Sequence, residues 1–484
     1  MKIQVNTLAF MAAFNFPAFA QELPTTGTVE TRLGKLELTD GYPAEATAKK
    51  LYDDIDFQRA CQAYIWALPA VGFQGLHLAH LNTFGAKDGD IVLYKDLKDK
   101  AGMLTPNITT IYAMSFWNID KQGPLVVEVP PGLTAGGVLD IWQRPVTDIG
   151  QTGPDKGQGG KYLILGPNNE DIKAEGYFVK RSPTNQLWFA TRGLSPDAKT
   201  AEEALRKHKL YGWDRRSNPG KTTFVDIGGK EWASAQPVSL EYWLYLSDVL
   251  QPEPIEPRDR FFLAMIAPLG IQQGKPFTPD DRQKLILTEA ATVGEIMART
   301  IAYDKRLPGS EVWPGKHWEY ANLVELNQEA KEYAQLDERG SWFYEAIGNS
   351  TGMQGRILGF GQAYLETSKD KDGDWLAGDN NYRLHVPPNV PIKQFWSITL
   401  YDNVTRGPAI TDQGASDLSS RKSDLVTNAD GSVDIYIGPT EPERKKNWIK
   451  TAPGKGWFAY FRFYAPTEAY FDKTWSLPDV EKAN

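Results

Sequence analysis

The stretch "GWFAYFRFY" at residues 456–464 decides the fold. In a β-strand successive side chains point to opposite faces. Trp457, Ala459, Phe461 and Phe463 therefore share one face, and Phe458, Tyr460, Arg462 and Tyr464 share the other. The first face is wholly apolar and predicts a sheet packed against a core. The same division recurs at 395–401, where Trp396, Ile398 and Leu400 oppose Ser397, Thr399 and Tyr401. It recurs again at 433–437, where Val433, Ile435 and Ile437 oppose Asp434 and Tyr436. With "YRLHV" (382–386), these strands are bounded by "PPNVP", "NADGS" and "APGKG", which are turn sequences. Residues 371–484 thus read as a β-sandwich domain. Two readings of the second face stand side by side. It is solvated or covered by helices, or its Tyr401, Tyr436, Tyr460 and Arg462 line a pocket suited to ring stacking and to hydrogen bonds with hydroxyls or a carboxylate.

Working outward, a second run of short strands lies between 107 and 192: "IYAMSFWNI", "PLVVEV", "GVLDIWQ", "KYLILG", "EGYFVKR" and "QLWFATR". Segments such as "PPG" and "GPNNED" separate them. Before them, 46–81 has helical spacing that Pro69, Gly72 and Gly75 are expected to break. A domain of helices plus sandwich is predicted over 46–195. Residues 196–370 read as a helical bridge, with Thr278 as an N-cap before Pro279 and a helix over "LVELNQEAKEYAQ" (323–335). Residues 21–45 read as a loose lead-in. The expected class is α+β, mainly β, with two antiparallel sandwich or jelly-roll-like domains joined by helices.

The chain resembles a bacterial family that pairs domains of unknown function 1254 and 1214. The first resemblance rests on "AYIWALP" (63–69), "TPNITTIYAMSFWNID" (105–120), "GPLVVEVP" (123–130), "LDIW" (139–142) and "YLILGP" (162–167). The second rests on "FWSITLYD" (395–402), "NADGSVDIYIGPTEP" (428–442), "NWIKTAPGKGWFAYFRFYAP" (447–466) and "TW" (474–475). The resemblance implies two sandwich-like domains in exported proteins and names no activity. Where relatives often carry Asp in the P-N-x-[DT]-T-x-Y pattern, this chain has Thr109.

The N-terminus has Lys2, a short apolar stretch Leu8–Phe16 and Ala18-Phe19-Ala20 before Gln21. That is the pattern of a secretory signal over 1–20, cleaved after Ala20, and it predicts a periplasmic location with no later membrane span. A formal charge of −8 disfavours nucleic acid and anionic membranes as partners. Cys61, the single cysteine, reads as a small buried hydrophobe.

Several constellations carry candidate chemistry. "PNITTIY" places Asn107, Thr110 and Tyr112 at a loop–strand junction, and with Tyr64, Trp66 and Trp142 they suggest a polar–aromatic binding pocket. Asp140 lies in an otherwise apolar strand, so it is either hydrogen-bonded, with Arg144 or Arg181 as partner, or a catalytic acid/base. His77 and His80, three apart on a helix, fit a metal site or ordinary packing; no metal ligand and no cofactor is assigned. "GNSTG" matches G-x-S-x-G around Ser350 but lacks the strand–helix alternation that a serine nucleophile requires. "DKDGD" (370–374) reads as a solvated turn. The expected function is a hydrolase or lyase acting on a small or oligomeric organic substrate. The alternatives are a non-catalytic carbohydrate- or ligand-binding envelope protein, and a structural homo-oligomer.

Overall fold

The strand Trp457–Tyr464 runs through the middle of a five-stranded antiparallel sheet in this computed structural model, which describes residues 23–443 and 447–483. Gln362–Thr367 and Trp396–Asp402 flank it, and Glu319–Tyr320 and Asp417–Ser419 form the edges. Its odd-numbered face is core: Trp457, Ala459, Phe461 and Phe463 join Leu365, Ile398 and Leu400. Across that core lie Leu384, Ile435 and Ile437 of a four-stranded sheet ordered Trp448–Lys450, Val433–Gly438, Tyr382–Val386, Glu481–Lys482. Each buried ring removes about 150–250 Å² from water, on the order of 4–6 kcal/mol before conformational entropy is charged against it. Gln362–Thr367 falls within the span read as helical bridge. Its alternation, with Ala363 and Leu365 inward, becomes decisive only through pairing with Trp457–Tyr464 nearly a hundred residues away in sequence.

The N-terminal strands follow the same plan. A six-stranded sheet runs Phe224–Asp226, Ile91–Tyr94, Ile111–Asn118, Gln186–Gly193, Thr134–Leu139, Pro145–Gly150. A four-stranded sheet runs Tyr177–Arg181, Gly160–Leu165, Leu125–Val129, Lys209–Gly212. Ile111, Ala113, Leu187 and Phe189 of the first bury one core with Leu125, Val127, Tyr162 and Ile164 of the second. The sheets are not wholly antiparallel. Tyr177–Arg181 pairs in parallel with Gly160–Leu165, Phe224–Asp226 with Ile91–Tyr94, and Val433–Gly438 with Trp448–Lys450. Between the first pair, residues 166–176 return the chain to its starting end, and Arg181 fastens that return by donating to the Gly166 carbonyl at 2.6 Å.

Helix Glu45–Leu78 passes straight through Pro69. The expected break does not occur: the helix from Ala63 to Phe73 is wholly buried, and other segments bond carbonyls near the proline. Tyr242 donates to the Tyr64 carbonyl at 2.6 Å and Gln143 to that of Pro69 at 2.7 Å. Tertiary packing here overrides local propensity. Helix Asp281–Tyr303 starts two residues later than expected. Asp280, not Thr278, is its N-cap, in a reciprocal box with Gln283. The helix expected over 323–335 is a loop. Asn327 captures the Glu329 amide, and Gln328 takes a left-handed φ of 63° while its side chain donates to the Trp142 carbonyl at 2.6 Å. The helix comes next, at Leu336–Glu345.

The chain divides after Asp56 into two compact units. In the first, residues 23–56, the expected lead-in is a three-stranded sheet of Gly27–Thr31, Gly34–Thr39 and Tyr42–Pro43. All sheets above belong to the second unit. No helix among the described residues is long and apolar enough to cross a membrane. The signal-like segment 1–20 lies outside the described residues.

Candidate functional site

The faces of the five- and six-stranded sheets that turn away from their own cores border a common cavity of about 370 Å³, within the size range of small-molecule sites. Strand alternation assigns the residues. Trp188, Ala190 and Arg192 line it from one sheet, and Leu187 and Phe189 on the opposite face of the strand point into that sheet's core. Tyr460, Arg462 and Tyr464, with Gln362 and Tyr364, line it from the other. The loops 103–107 and 346–353 complete the wall. Helices roof the rest of both faces, so Phe458, Tyr460 and Tyr401 share a core cluster with Trp342 and Tyr344. Part of the second face is therefore covered by helices, and part of it borders the cavity.

Arg462, 2% exposed, is held by its terminal nitrogens. One donates to Thr399 Oγ1 (3.1 Å), the other to Tyr401 Oη (2.7 Å) and the Thr105 carbonyl (3.0 Å). Thr105 adopts φ 35°, unusual for a β-branched residue. Three bonds enforce it: Arg462 on its carbonyl, its amide to the Arg406 carbonyl (2.9 Å), and its Oγ1 to the Glu345 carbonyl (2.9 Å). Strain of this kind persists where the surroundings over-determine it. Arg192, half-buried, donates to Gln362 Oε1 at 3.2 Å and lies over the Tyr112 ring. Among the described residues no carboxylate is within ion-pair distance of either guanidinium. Four other buried polar atoms of cavity-lining side chains have no hydrogen-bond partner in the protein: Arg462 Nε, Asn107 Nδ2, Trp188 Nε1 and Tyr464 Oη.

Behind the cavity lies a buried charge cluster. Tyr460 donates to Glu345 Oε2 at 2.5 Å. Lys305 Nζ contacts Glu366 at 2.6 Å, Glu319 at 3.7 Å and Glu345 at 3.8 Å. Burial, then the neighbouring Glu366 carboxylate, holds the Glu345 carboxyl well above the usual range, with Lys305 opposing. The neutral, protonated form of Glu345 is therefore favoured relative to an exposed carboxyl. A carboxyl raised in the folded state stabilises fully below its unfolded value of about 4.3, and that stability is lost as pH rises toward the folded value. Glu345→Gln removes this dependence. Its unfolding midpoint is expected to exceed wild type at neutral pH and to converge with it in acid; thermal denaturation across pH checks this, and a neutral-pH loss would contradict a protonated Glu345.

The other sequence candidates are distributed as follows. Asn107, Tyr112, Tyr460 and Arg462 line the cavity. Tyr401 stands just behind it, bridging Arg462 and the Pro106 carbonyl (2.7 Å). Thr110 is buried nearby, its carbonyl accepting from Lys100 at 2.7 Å. Asn107 both caps its own turn and faces the cavity: its Oδ1 captures the Thr109 amide at 2.6 Å, and its Nδ2 has no partner in the protein. Tyr436 belongs to the four-stranded sheet and is not part of the cavity lining. Tyr64 stacks on Tyr242 with ring centroids 4.0 Å apart, and Trp66 packs on Trp142 at 4.9 Å.

Asp140 does not line the cavity. Its strand ends at Leu139, and Asp140 opens a turn in which Oδ1 accepts from the amides of Trp142 and Arg144, both at 2.9 Å. Oδ2 pairs with Arg144 at 2.6 Å, and Arg144 also binds Glu256. Burial raises the Asp140 carboxyl, and Arg144 opposes that shift. The geometry is that of a turn-former. Asp140→Asn should cost on the order of 3 kcal/mol through loss of a buried pair while leaving ligand binding of the folded fraction unchanged; chemical denaturation and titration check the two parts.

His77 bonds Asp88 (2.6 Å) and stacks on Phe116, and His80 bonds the Tyr94 hydroxyl (2.7 Å). Burial, and then His77, pushes the His80 imidazole down to about 3. Cys61 is buried, which pushes its thiol up to about 11. Ser350 borders the cavity ahead of the short turn Thr351–Met353, whereas His385 lies in the four-stranded sheet bonded to Asp434 (2.7 Å). Asp370 is buried in its turn, accepting from the amides of Asp372 and Asp374. Sequence reasoning missed Arg192, Trp188, Lys305 and Glu345. The first two were accessible: the alternation argument applied to "QLWFATR" puts Trp188 and Arg192 on one face.

Residues 91–212 match the family described as "Protein of unknown function (DUF1254)", and residues 361–468 match "Protein of unknown function (DUF1214)". No curated protein matches the chain. Among solved structures, the chain is similar to the VPA0106 protein from Vibrio parahaemolyticus, with 16% identity, 89% of this chain and all of that one covered, and a TM-score of 0.55. That likeness supports the fold. An uncharacterized protein from Burkholderia cenocepacia is similar at 11% identity over 90% of this chain and 96% of that one, with a TM-score of 0.42.

Proposed function

We propose, for a chain that pairs domains of unknown function 1254 and 1214, that the cavity between the two sheet faces binds a small organic substrate and acts on it as a hydrolase or lyase. The observation that carries this is the meeting of unpartnered buried donors with the Tyr460–Glu345 pair in one wall. In the hydrolytic form of the proposed step water adds as the scissile bond breaks and its proton leaves to solvent, Tyr460 Oη gives its proton to the departing group, and the Glu345 carboxyl, with the Tyr460–Glu345 hydrogen bond reversed so that Glu345 donates, replaces it. Glu345 is left as a carboxylate 3.8 Å from Lys305 Nζ, which stabilises the new charge. The two sheet pairs are, in this reading, two jelly-roll-like sandwich domains. The signal-like residues 1–20 support export to the periplasm, which a mature N-terminus at Gln21 in the periplasmic fraction tests.

The experiment is a thermal-shift screen of organic metabolites and glycans, with mass spectrometry of each hit after incubation. A ligand at a hundred times its Kd stabilises by about 2.7 kcal/mol. Turnover that disappears in Tyr460→Phe while binding persists supports the enzyme. Binding without product at any hit favours a non-catalytic ligand-binding protein instead. No stabilisation by any compound removes the cavity as a site.

A further inference from the structure

The cavity has a polarity from end to end, set by strand register. Trp188 and Arg192 are four residues apart on one face of Gln186–Gly193, about 13 Å at strand rise. Trp188 pairs with Leu139, and the Trp342 indole and Met353 also line the cavity. Arg192 meets Gln362, and Gln362 pairs with Tyr464 in the register that pairs Tyr364 with Arg462. Between the ends the floor is low: Ala190 pairs with Gly137, and both line the cavity. One end is therefore broad and apolar and the other cationic.

Resting on the reading of this cavity as a ligand site, we infer that its ligand is an amphipathic carboxylate: a flat apolar body seated against Trp188 and Leu139, and an oxyanion held between Arg192 and Arg462. Three features of the cationic end require an acceptor of negative charge. Arg462 is buried without a carboxylate partner, and an uncompensated buried charge is costly. The carboxylate whose charge bears on it, Asp417, makes no ion pair with it among the described residues and also feels the charge of Lys100. The unpaired atoms there, Arg462 Nε, Asn107 Nδ2 and Tyr464 Oη, all carry hydrogens to donate. A carboxylate oxygen is acceptor-only and has lone pairs for several such donors. A cationic ligand meets two guanidiniums, and a neutral ligand leaves their charge unmatched. Tyr112, Tyr364 and Tyr464 surround the pair with rings and hydroxyls.

The test compares matched probes on the unaltered protein. Benzoate, phenylacetate and 3-phenylpropionate are titrated against their primary amides, with tryptophan fluorescence and calorimetry as readouts. The acids are expected to bind about ten- to a hundredfold more tightly than the amides, the usual gain for charge-assisted hydrogen bonds. Affinity should fall as pH drops through the ligand's own carboxyl pKa. Arg192→Gln, at the half-buried guanidinium, should abolish the acid–amide preference while retaining the native circular-dichroism spectrum. Arg462→Gln should do the same if it folds. Acid and amide binding equally, both weakened by Trp188→Ala, would overturn the carboxylate and leave the cavity as a site for neutral ligands. No binding of any probe at millimolar concentration would overturn the inference, and if the metabolite screen also finds nothing, the ligand site with it.

Discussion

Lys305→Met is expected to cost about 3–5 kcal/mol at neutral pH, the loss seen when one partner of a buried ion pair is removed and the other stays. The Lys305 side chain is fully buried among Glu319, Glu345 and Glu366, its contact to Glu366 is 2.6 Å, and it also donates to the Ala302 carbonyl at 2.6 Å. Methionine fills the volume but leaves Glu366 as a buried anion with nothing opposite. A buried carboxylate without a counter-ion is costly, and acid relieves that cost by removing the charge. The deficit should therefore be largest near neutrality and shrink in acid. Adding Glu366→Gln to Lys305→Met should recover much of the loss. Equilibrium denaturation of the single and double variants across pH checks this, and additive losses in the double variant would contradict the pairing.

Gly294→Ala should be comparably damaging, at about 3 kcal/mol or more. A Cβ at Gly294 falls 2.6 Å from Tyr64 Cγ and 2.7 Å from its Cβ. Neither atom has room to move, because Tyr64 is buried on helix Glu45–Leu78 with its ring stacked on Tyr242. Helix Asp281–Tyr303 therefore rests backbone-close on the central helix, and an added methyl forces the two apart or pushes Tyr64 out of its rotamer. The helix-propensity gain of alanine over glycine, about 1 kcal/mol, opposes this and is outweighed. A gain in thermal stability in this variant would refute the close contact. The same variant separates packing from function at Tyr64: ligand affinity of the folded fraction should be unchanged, because Tyr64 does not line the cavity.

Legibility from sequence followed the range of the interactions. Two-residue alternation is a local property, so "GWFAYFRFY", "WSITLYD" and "VDIYIG" identified their own inner and outer faces, and the strands lie as that alternation requires. Pro69 and the 323–335 loop went the other way. Side chains more than seventy residues away bond the carbonyls beside Pro69, and nothing local reports them. At 323–335, good helix formers lost to the turn chemistry of Asn327 and to the grip of Gln328 on the Trp142 carbonyl.

At the site the same boundary holds. That Tyr460 and Arg462 share a polar face follows from counting by twos, and so does the kinship of Trp188 with Arg192. That these two faces, from strands some 270 residues apart, border one cavity is a fact of packing. So is the fate of Asp140: a carboxylate within an apolar run signals a special environment in sequence, but only the turn at 140–144 and Arg144 within it identify that environment as structural. Sequence by itself determined which side of each strand is apolar, because side-chain direction in an extended chain needs no partner. Tertiary structure alone decided which polar faces meet and which buried charges find a counter-ion, because both depend on distances between residues far apart along the chain.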